Sequence, residues 1–327
     1  MQFPRAVDFD SGVAMVVTDL HGAGDVYNRL RDKFLDLHEK GEVQHLILCG
    51  DLIHADGRSY EDDSLRMILD VIRLQNELGK ETVTMLMGNH EMPHVYNFVL
   101  SKGTVEYTTA FEHSLTKSGK RDEIMNFLYD LPLCVRTKAG VYITHAGATQ
   151  AVLKEHEATR MLTIDHRAIL KLYDDKMAGY VNIEDLKADR KYLSQAQQYL
   201  AVTGTDDPRL PYLLRGQLIS NLEEDFEFLW DILFARCEQE SNTNTYNFYA
   251  EQFLNAISEL SDYQQRVIVA GHIAVQGGHK GVTERHLRIA SYTHAHPREA
   301  GEYLLLDCAK PVQTAIDLLP HLRQTFA

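Results

Sequence analysis

Short apolar runs alternate with amphipathic segments over the first third of the chain. The run at 13–17 is rich in β-branched residues, as in a buried strand, and the segment 25–37 places apolar residues at helical spacing. The same order returns at 46–49 and 65–78, and a third apolar run covers 82–87. Alternation of this kind predicts crossover connections and a largely parallel sheet that is covered by helices.

Two further strands are predicted at 133–137 and 141–144. They flank Ala139-Gly140, a short connection that favours a hairpin. The second of them ends directly before His145.

The segment 148–261 differs from the rest, because its apolar residues recur almost throughout at helical spacing. Strands are predicted again after it, at 267–270 and 303–306. The pattern therefore predicts one α/β domain over residues 1–327, into which the helical segment is inserted.

Composition narrows the classes of function. A chain of 327 residues with 44% hydrophobic residues can bury a large core, and its formal charge of −14 disfavours sequence-independent binding to nucleic acid. No run approaches the ~18 apolar residues of a membrane span, and the first residues do not resemble a signal peptide. The four cysteines show no C-x-x-C pairing and are predicted to be reduced. We predict a cytoplasmic protein with no nucleic-acid or membrane partner.

Polar residues follow five of the predicted strands. A turn residue or a hydrogen-bonded histidine explains any one of them, but five in register with strand ends indicate a shared site. Oxygen and nitrogen ligands without a thiolate suit Mn, Fe or Zn. The segments are Asp19-Leu20-His21, Gly50-Asp51, Gly88-Asn89-His90-Glu91, His145 and Gly271-His272.

These segments resemble the motifs D-x-H, G-D, G-N-H-E, H and G-H of the calcineurin-like metallophosphoesterases, in the same order. They are most similar to the phosphoprotein phosphatases, and among these to the bacterial-type, Shewanella-like enzymes. The resemblance implies a layered β-sandwich flanked by helices and a pair of divalent metal ions. It implies that the ligands are Asp19 and His21 for the first ion, Asn89, His145 and His272 for the second, and Asp51 as the bridge.

Such a centre has a defined chemistry. Two ions ~3.5 to 4 Å apart lower the pKa of a bridging water, which attacks phosphorus. His90 stands beside a ligand and is the natural general acid for the leaving oxygen. We therefore predict a metal-dependent phosphomonoesterase, with manganese as the first choice of metal. Phosphoserine, phosphothreonine and phosphotyrosine proteins are candidate substrates.

The second motif departs from the phosphoprotein phosphatases, which continue it as G-D-x-x-D-R-G. Their second Asp orients the acid histidine and their Arg holds phosphate. Here His54 and Ala55 take those places, although Asp56 and Arg58 could supply the functions from a longer loop. Arg215 lies in a segment similar to the phosphate-holding segment of the Shewanella-like enzymes. We predict substrate contacts for Arg215, Arg58 and His54.

Other histidines carry weaker signals. In esterases with a G-H-x-H motif the second histidine is a further ligand for the first metal, but here that position is Ala274. A solvated loop is predicted around His294 and His296. His279 and His286 are also predicted to lie in solvated loops.

Two alternatives stay open. A hydrolase of nucleotides or diadenosine polyphosphates is one, because relatives of that specificity also lack the Asp in the second motif. A non-catalytic scaffold that keeps metals for stability is the other, and the presence of His90 argues against it.

Overall fold

Two β-sheets lie face to face, and helices cover their outer sides. The computed structural model describes residues 3–55, 61–102 and 105–327. The strands in those residues are β1 Ala6–Phe9, β2 Val13–Val17, β3 His45–Leu48, β4 Val83–Met85, β5 Ser101–Lys102, β6 Val105–Glu106, β7 Cys134–Thr137, β8 Val141–Thr144, β9 Val267–Ala270, β10 Val275–Gln276, β11 His279–Thr283, β12 His286–Ile289, β13 Ala295–His296, β14 Glu302–Asp307 and β15 Leu322–Gln324.

The α-helices fill most of the chain between the strands. They are α1 Gly24–Glu39, α2 Ser64–Leu78, α3 Met92–Tyr96, α4 Thr108–Ser118, α5 Arg121–Tyr129, α6 Glu157–Thr163, α7 His166–Tyr180, α8 Ile183–Ala188, α9 Arg190–Leu200, α10 Tyr212–Leu222, α11 Glu224–Leu233, α12 Cys237–Glu240 and α13 Thr243–Ser258. Short 3-10 helices cover Gln150–Leu153, Arg298–Ala300 and Ala315–His321.

Both large sheets are mixed. The first has the strand order β15-β14-β2-β3-β4, and the second has the order β1-β7-β8-β9-β12-β11. Strands β2, β3 and β4 are parallel, as predicted, but β14 runs antiparallel to β2. Strands β8, β9 and β12 are also parallel, and β7 and β8 form the predicted hairpin. The prediction of a largely parallel sheet is therefore wrong for β11, β14 and β15, which pair antiparallel with their neighbours, while the α/β layered sandwich is confirmed.

Alternate residues of each strand serve the two sides of its sheet. In β2, Ala14 and Val16 join side chains of the second sheet in one buried cluster between the sheets. Met15 and Val17 point the other way and belong to the cluster that includes Phe34 of α1. Burial on both sides explains why this strand is a continuous apolar run.

Helices α6 to α13 occupy the chain between β8 and β9. These two strands are parallel neighbours, with Val141 opposite Val267, so the chain leaves and re-enters the sheet at adjacent positions. The rings of Tyr142 in β8 and Phe253 in α13 are 5.3 Å apart, which places α13 on the outer side of the second sheet. This arrangement supports our proposal that 148–261 is an insert within a single domain of residues 1–327.

Two predictions from composition can be compared with the structure. All four cysteines lie in the described part of the chain and are free, as predicted, and Cys49, Cys134 and Cys308 are buried. Among the described residues, no helix combines the length and the apolar character that crossing a membrane requires.

Candidate active site

The ends of β2, β3 and β4 in the first sheet and of β8 and β9 in the second lie beside a cavity of about 360 Å³, which Asp51, Asn89 and His272 line. Asp19, Asp51 and Asn89 follow β2, β3 and β4 of the first sheet. His145 and His272 follow β8 and β9 of the second. Because parallel strands end at the same edge of a sheet, the two facing sheets bring all five side chains to one place.

Asp51 lies at the centre of this cluster. Its Oδ2 atom is 3.6 Å from Nε2 of His21, 3.5 Å from Nε2 of His145 and 4.0 Å from Nε2 of His90. Its Oδ1 atom accepts a hydrogen bond of 2.9 Å from the backbone N–H of His90. The carboxylate thus touches both sides of the cluster, which is the position a bridging ligand needs.

Asp19 forms a second corner, together with a histidine that the sequence did not predict there. Nδ1 of His294 is 3.2 Å from Oδ1 of Asp19, and the rings of His21 and His294 are 5.2 Å apart. The backbone N–H of His272 donates to both carboxylate oxygens of Asp19, at 2.9 and 3.0 Å. One ligand atom each from Asp19, His21 and His294 lies within 4.8 Å of the others.

Positive charge would stabilise the buried acidic side chains of the cluster in their ionised form. Burial raises the pKa of Asp51 well above its usual range, and the charges of Glu91 and Asp19 add to that effect. A cation beside Asp51 would favour the ionised carboxylate again. The buried carboxylates therefore fit divalent metal ions.

The imidazoles fit metal ions as well. Burial lowers the pKa of His21 to about 3 and that of His145 to about 4, so both rings are neutral, the form that binds metals. Nε2 of His272 is buried and has no hydrogen-bond partner among the described residues. Lone pairs of this kind are what a metal ligand presents.

The contact between His145 and Asn89 gives a third indication. Nδ1 of His145 lies 2.8 Å from the carbonyl oxygen of Cys49, to which it donates. A neutral imidazole has only one N–H, so Nε2 presents a lone pair, yet it lies 2.8 Å from Oδ1 of Asn89. A cation that both atoms coordinate would remove the repulsion between their lone pairs. The carbonyl partner also fixes the ring, as is usual for metal-binding histidines.

Backbone strain is concentrated at the cavity. A left-handed conformation costs a non-glycine residue ~1 to 3 kcal/mol and is typical of functional sites. A Cβ atom at Gly271 would collide with the carboxylate of Asp19. A Cβ atom at Gly88 would likewise collide with the carboxylate of Asp51. Of the eight described non-glycine residues with positive φ, five lie at the site: Asp19 (φ 47°), His21 (φ 45°), Asp51 (φ 50°), His54 (φ 69°) and His272 (φ 69°).

Glu91 links the loops after β3 and β4. Its buried carboxylate accepts hydrogen bonds from the backbone N–H groups of Asp51 and Leu52, both at 3.0 Å, and of Gly88 at 2.9 Å. Burial raises the pKa of Glu91 to about 7. The glutamate of the G-N-H-E motif therefore holds the two ligand loops together.

His90 and His54 both line the cavity, and the centroids of their rings are 5.1 Å apart. Nδ1 of His90 is 3.0 Å from Nδ1 of His54, and Nε2 of His54 is 2.6 Å from Nε2 of His94. Both ring nitrogens of His54 are therefore engaged by other histidines. A contact of His54 with the substrate phosphate stays a prediction.

Of the two predicted arginines, the structure describes only Arg215. Arg58, like Asp56, lies outside the described residues. Arg215 is buried in α10, where it binds Asp174 at 2.9 Å and Oδ1 of Asn97 at 2.6 Å. It lines a different cavity from the one beside the predicted ligands, and its contact with the substrate phosphate stays a prediction.

The insert contributes another arginine to the cavity. Arg236, at the end of the segment after α11, lines it together with Trp230 and Phe234. No sequence motif marked Arg236. The prediction of a solvated loop is also wrong for His294, which lies at Asp19, and for His286, which is fully buried in β12.

Two facing sheets between helices, with carboxylates and imidazoles at their strand ends, are the architecture of a metal-dependent phosphoesterase. The family model of the calcineurin-like phosphoesterases matches residues 13–296, and the chain therefore belongs to that family. Its members depend on a dinuclear metal centre, and the chain is a phosphatase of this hydrolase class.

Several solved structures are similar to this chain at low sequence identity. A protein serine/threonine phosphatase from Saccharomyces cerevisiae with similarity to human phosphatase PP5 has a TM-score of 0.50 and 13% identity, over 93% of this chain and 77% of that one. A cold-active protein-tyrosine phosphatase of a psychrophile Shewanella species has a TM-score of 0.44 and 18% identity, over 94% of this chain and 78% of that one. A putative diadenosine tetraphosphatase has a TM-score of 0.28 and 20% identity, over 44% of this chain and 55% of that one. No curated protein matches this chain in sequence.

Proposed function

We propose that the chain is a phosphomonoesterase whose substrates are phosphoproteins. The observation that carries the proposal is the meeting of donor side chains from five strand ends at one cavity that His90 also lines. When bound, two divalent ions supply the activation of water and offset the charge of the phosphate. We assign Asp19 and His21 to the first ion, Asn89, His145 and His272 to the second, and Asp51 to both. Manganese suits this thiolate-free set.

His90 is proposed to protonate the leaving oxygen. Its Nε2 atom faces the cavity at 4.0 Å from Asp51, while Nδ1 is held by His54 at 3.0 Å. The reactive nitrogen therefore points toward the place where the phosphate ester would bind.

The surroundings of the cavity support a phosphoprotein over a dinucleoside polyphosphate. A second cavity of about 720 Å³ shares Trp230 with the first and offers room for a large leaving group. Its wall includes Glu223, Glu224 and Glu227. These carboxylates would repel a polyphosphate chain, whereas they would attract a peptide with basic residues. A cytoplasmic location stays a prediction.

A hydrolysis panel with added manganese tests the proposal. We expect turnover of phosphoserine, phosphothreonine or phosphotyrosine peptides to exceed that of mononucleotides and of a diadenosine polyphosphate. The reverse ranking would favour the nucleotide alternative. p-Nitrophenyl phosphate with and without a chelator provides the second comparison. Failure to hydrolyse any ester would favour the scaffold, and turnover that resists the chelator would contradict metal dependence.

Arg236 is proposed to bind the substrate phosphate. Because a guanidinium can hold two phosphate oxygens and an ammonium cannot, we expect Arg236→Lys to lower kcat/KM about 10-fold and to weaken inhibition by inorganic phosphate. Arg215→Lys is the matched control, which should lower the thermal midpoint but leave kcat/KM within about twofold, because its partners are Asp174 and Asn97. The opposite ranking would return the phosphate contact to Arg215.

His294 is proposed as a further ligand for the first ion, the place that Ala274 leaves open. We expect His294→Ala to lower metal content from two ions per chain toward one, because Nδ1 lies 3.2 Å from Asp19. His296→Ala is the control, since His296 is exposed two residues further on. Metal analysis of the purified variants checks the prediction. If the His294→Ala variant bound two ions with unchanged affinity, His294 would not be a metal ligand.

A further inference from the structure

Arg288 in β12 is a buried arginine that joins three separate segments of the chain. Only 1% of its side chain is exposed. Nη2 donates to the carbonyl oxygen of Ala146 at 3.0 Å, and Nη1 donates to that of Gly271. Ala146 follows His145, and Gly271 precedes His272. The guanidinium therefore contacts the backbone next to both histidines that we assign to the second ion.

The third segment belongs to the helical insert. Nε of Arg288 donates to both carboxylate oxygens of Glu238, at 3.2 and 3.1 Å, and Nη2 donates to Oε2 at 2.6 Å. Glu238 lies in α12, and only 3% of its side chain is exposed. Arg236, which lines the cavity of the candidate active site, is the residue directly before that helix. The ion pair therefore ties the segment that carries Arg236 to β12.

The chain after His145 passes close to the guanidinium. Gly147 has a φ of 115°, and a Cβ atom there would lie 3.0 Å from Cε1 of His286 and 3.4 Å from Nη2 of Arg288. A side chain at this position would be both strained and crowded. The backbone N–H of Gly271 donates to the carbonyl oxygen of His145 at 3.0 Å, so the two ligand loops also contact each other directly. Packing and hydrogen bonds together fix the position of the guanidinium.

The chemistry of arginine suits this junction. A guanidinium is planar and presents five N–H groups in a fixed fork, so it can bind a carboxylate and two carbonyl oxygens at once. An ammonium group cannot hold the same partners in the same directions. A buried ion pair is weak evidence for stability, because desolvation of its charges offsets their attraction. The carbonyl contacts beside two ligand histidines point instead to a role in positioning.

We propose that Arg288 and Glu238 position the ligands of the second ion and the arginine that binds phosphate. The inference rests on the proposed function, which assigns those ligands and gives the phosphate contact to Arg236. Arg288 fixes the backbone that carries the two histidines, and Glu238 fixes the segment that carries Arg236. Neither is among the described residues that line the cavity, so both act through other residues.

Arg288→Lys tests the effect on the metal ions. We expect the dissociation constant of the second Mn²⁺ to rise about 10- to 100-fold, the usual effect of changing a group that orients metal ligands. The dissociation constant of the first Mn²⁺ should change less than about twofold, because the carbonyl contacts of Arg288 lie beside the second-ion histidines. Calorimetric titration of the metal-free protein measures both constants without substrate. Equal losses for the two ions, or no loss for either, would overturn the proposal.

Two ligand variants identify the ion that Arg288 affects. His272→Ala should leave a chain that binds only the first ion, and His21→Ala one that binds only the second. We expect Arg288→Lys to weaken Mn²⁺ binding about 10- to 100-fold in the His21→Ala background. In the His272→Ala background the change should be less than about twofold, because sites without shared partners are independent. The reverse pattern would contradict the proposal.

Glu238→Gln tests the link to Arg236. The substitution keeps the size of the side chain and removes its charge, so that α12 is held less firmly. We expect the inhibition constant of inorganic phosphate and KM to rise about 3- to 10-fold with little change in kcat. In the Arg236→Lys background the same substitution should change the inhibition constant less than about twofold, because residues that act through one contact are coupled. Equal losses in both backgrounds would show that Glu238 has a structural role only.

A structural control lies in the same sheet. Arg136 in β7 is also buried and pairs with Asp8 at 2.6 Å, but it donates to the carbonyl oxygen of Leu260, outside the ligand loops. Arg136→Lys should lower the thermal midpoint of the metal-free chain and leave both Mn²⁺ constants unchanged. If Arg288→Lys does not fold, the double variant Arg288→Met with Glu238→Leu removes the pair without leaving a buried charge. The same selective loss of the second ion is expected for it.

The titration also separates the possible failures. If the parent binds two ions and Arg288→Lys binds both as tightly, the positioning role is wrong and the proposed metal site stands. If the parent binds fewer than two ions, the proposed metal site fails first, and the role of Arg288 fails with it.

Discussion

Asp51→Asn should remove both metal ions or leave them disordered. We expect kcat/KM to fall by roughly 10³-fold or more, because the metal ions lower the activation barrier by several kcal/mol. The substitution keeps the shape of the side chain but removes its charge. Oδ2 of Asp51 faces His21 at 3.6 Å and His145 at 3.5 Å, so one change affects both halves of the site. Substitution of a ligand that contacts only one of the two ions should remove only that ion.

Metal analysis and phosphatase assays on the same preparations check this prediction. Asp8→Asn is a suitable control, because Asp8 is a half-exposed aspartate that pairs with Arg136 at 2.6 Å, away from the cavity. It should retain two ions per chain and full turnover. If Asp51→Asn also retained both, Asp51 would not be a bridging ligand and the dinuclear assignment would be wrong.

The strands that carry the predicted ligands were predictable because they are buried on both sides. The run 13–17 has no polar residue, and the residues from 45 to 48 and from 83 to 85 are nearly as apolar. Such runs end abruptly where the chain reaches the edge of the sheet, so the first polar residue marks the edge. Asp19 and Asp51 could therefore be placed by the hydrophobic pattern, and the motifs then assigned their chemistry.

His294 was missed because the strand before it was missed. Strand β12 contains His286 and Arg288, which made the segment look half-solvated, yet all four of its residues are buried. Nδ1 of His286 is 2.6 Å from the hydroxyl of Tyr246, and the Arg288 guanidinium binds Glu238 and the carbonyl oxygen of Ala146. Partners so distant along the chain cannot be inferred from local periodicity. The polar strand end that would have indicated His294 was therefore hidden.

The surroundings of Arg215 and Arg236 could not be predicted for a related reason. Helical periodicity shows which face of α10 or α11 is apolar, but not which helix end reaches the cavity. Arg215 lies on the buried face of its helix, where Asp174 and Asn97 neutralise and orient it. Arg236 comes after α11, in a segment whose direction depends on how the insert packs. Packing of this kind requires the three-dimensional structure.

The other large effect is expected for His90→Asn, which should slow the hydrolysis of alkyl phosphates about 10²- to 10⁴-fold, the usual range of general acid catalysis. Hydrolysis of p-nitrophenyl phosphate should fall much less, because its leaving group is stable as an anion. Metal content should not change, since the backbone N–H of residue 90, which donates to Asp51 at 2.9 Å, is kept. An asparagine amide can also take over the contact with His54.

The comparison of the two substrates, rather than either rate alone, decides the role of His90. A loss of ligand geometry would slow both reactions, because both need the same activated water and the same phosphate contacts. His113→Asn is the control for the substitution itself, since His113 is exposed on α4 and should leave both rates unchanged. If His90→Asn slowed the two substrates equally, His90 would hold the substrate or a metal ligand in place, and the proton for the leaving oxygen would have to come from another group at the cavity.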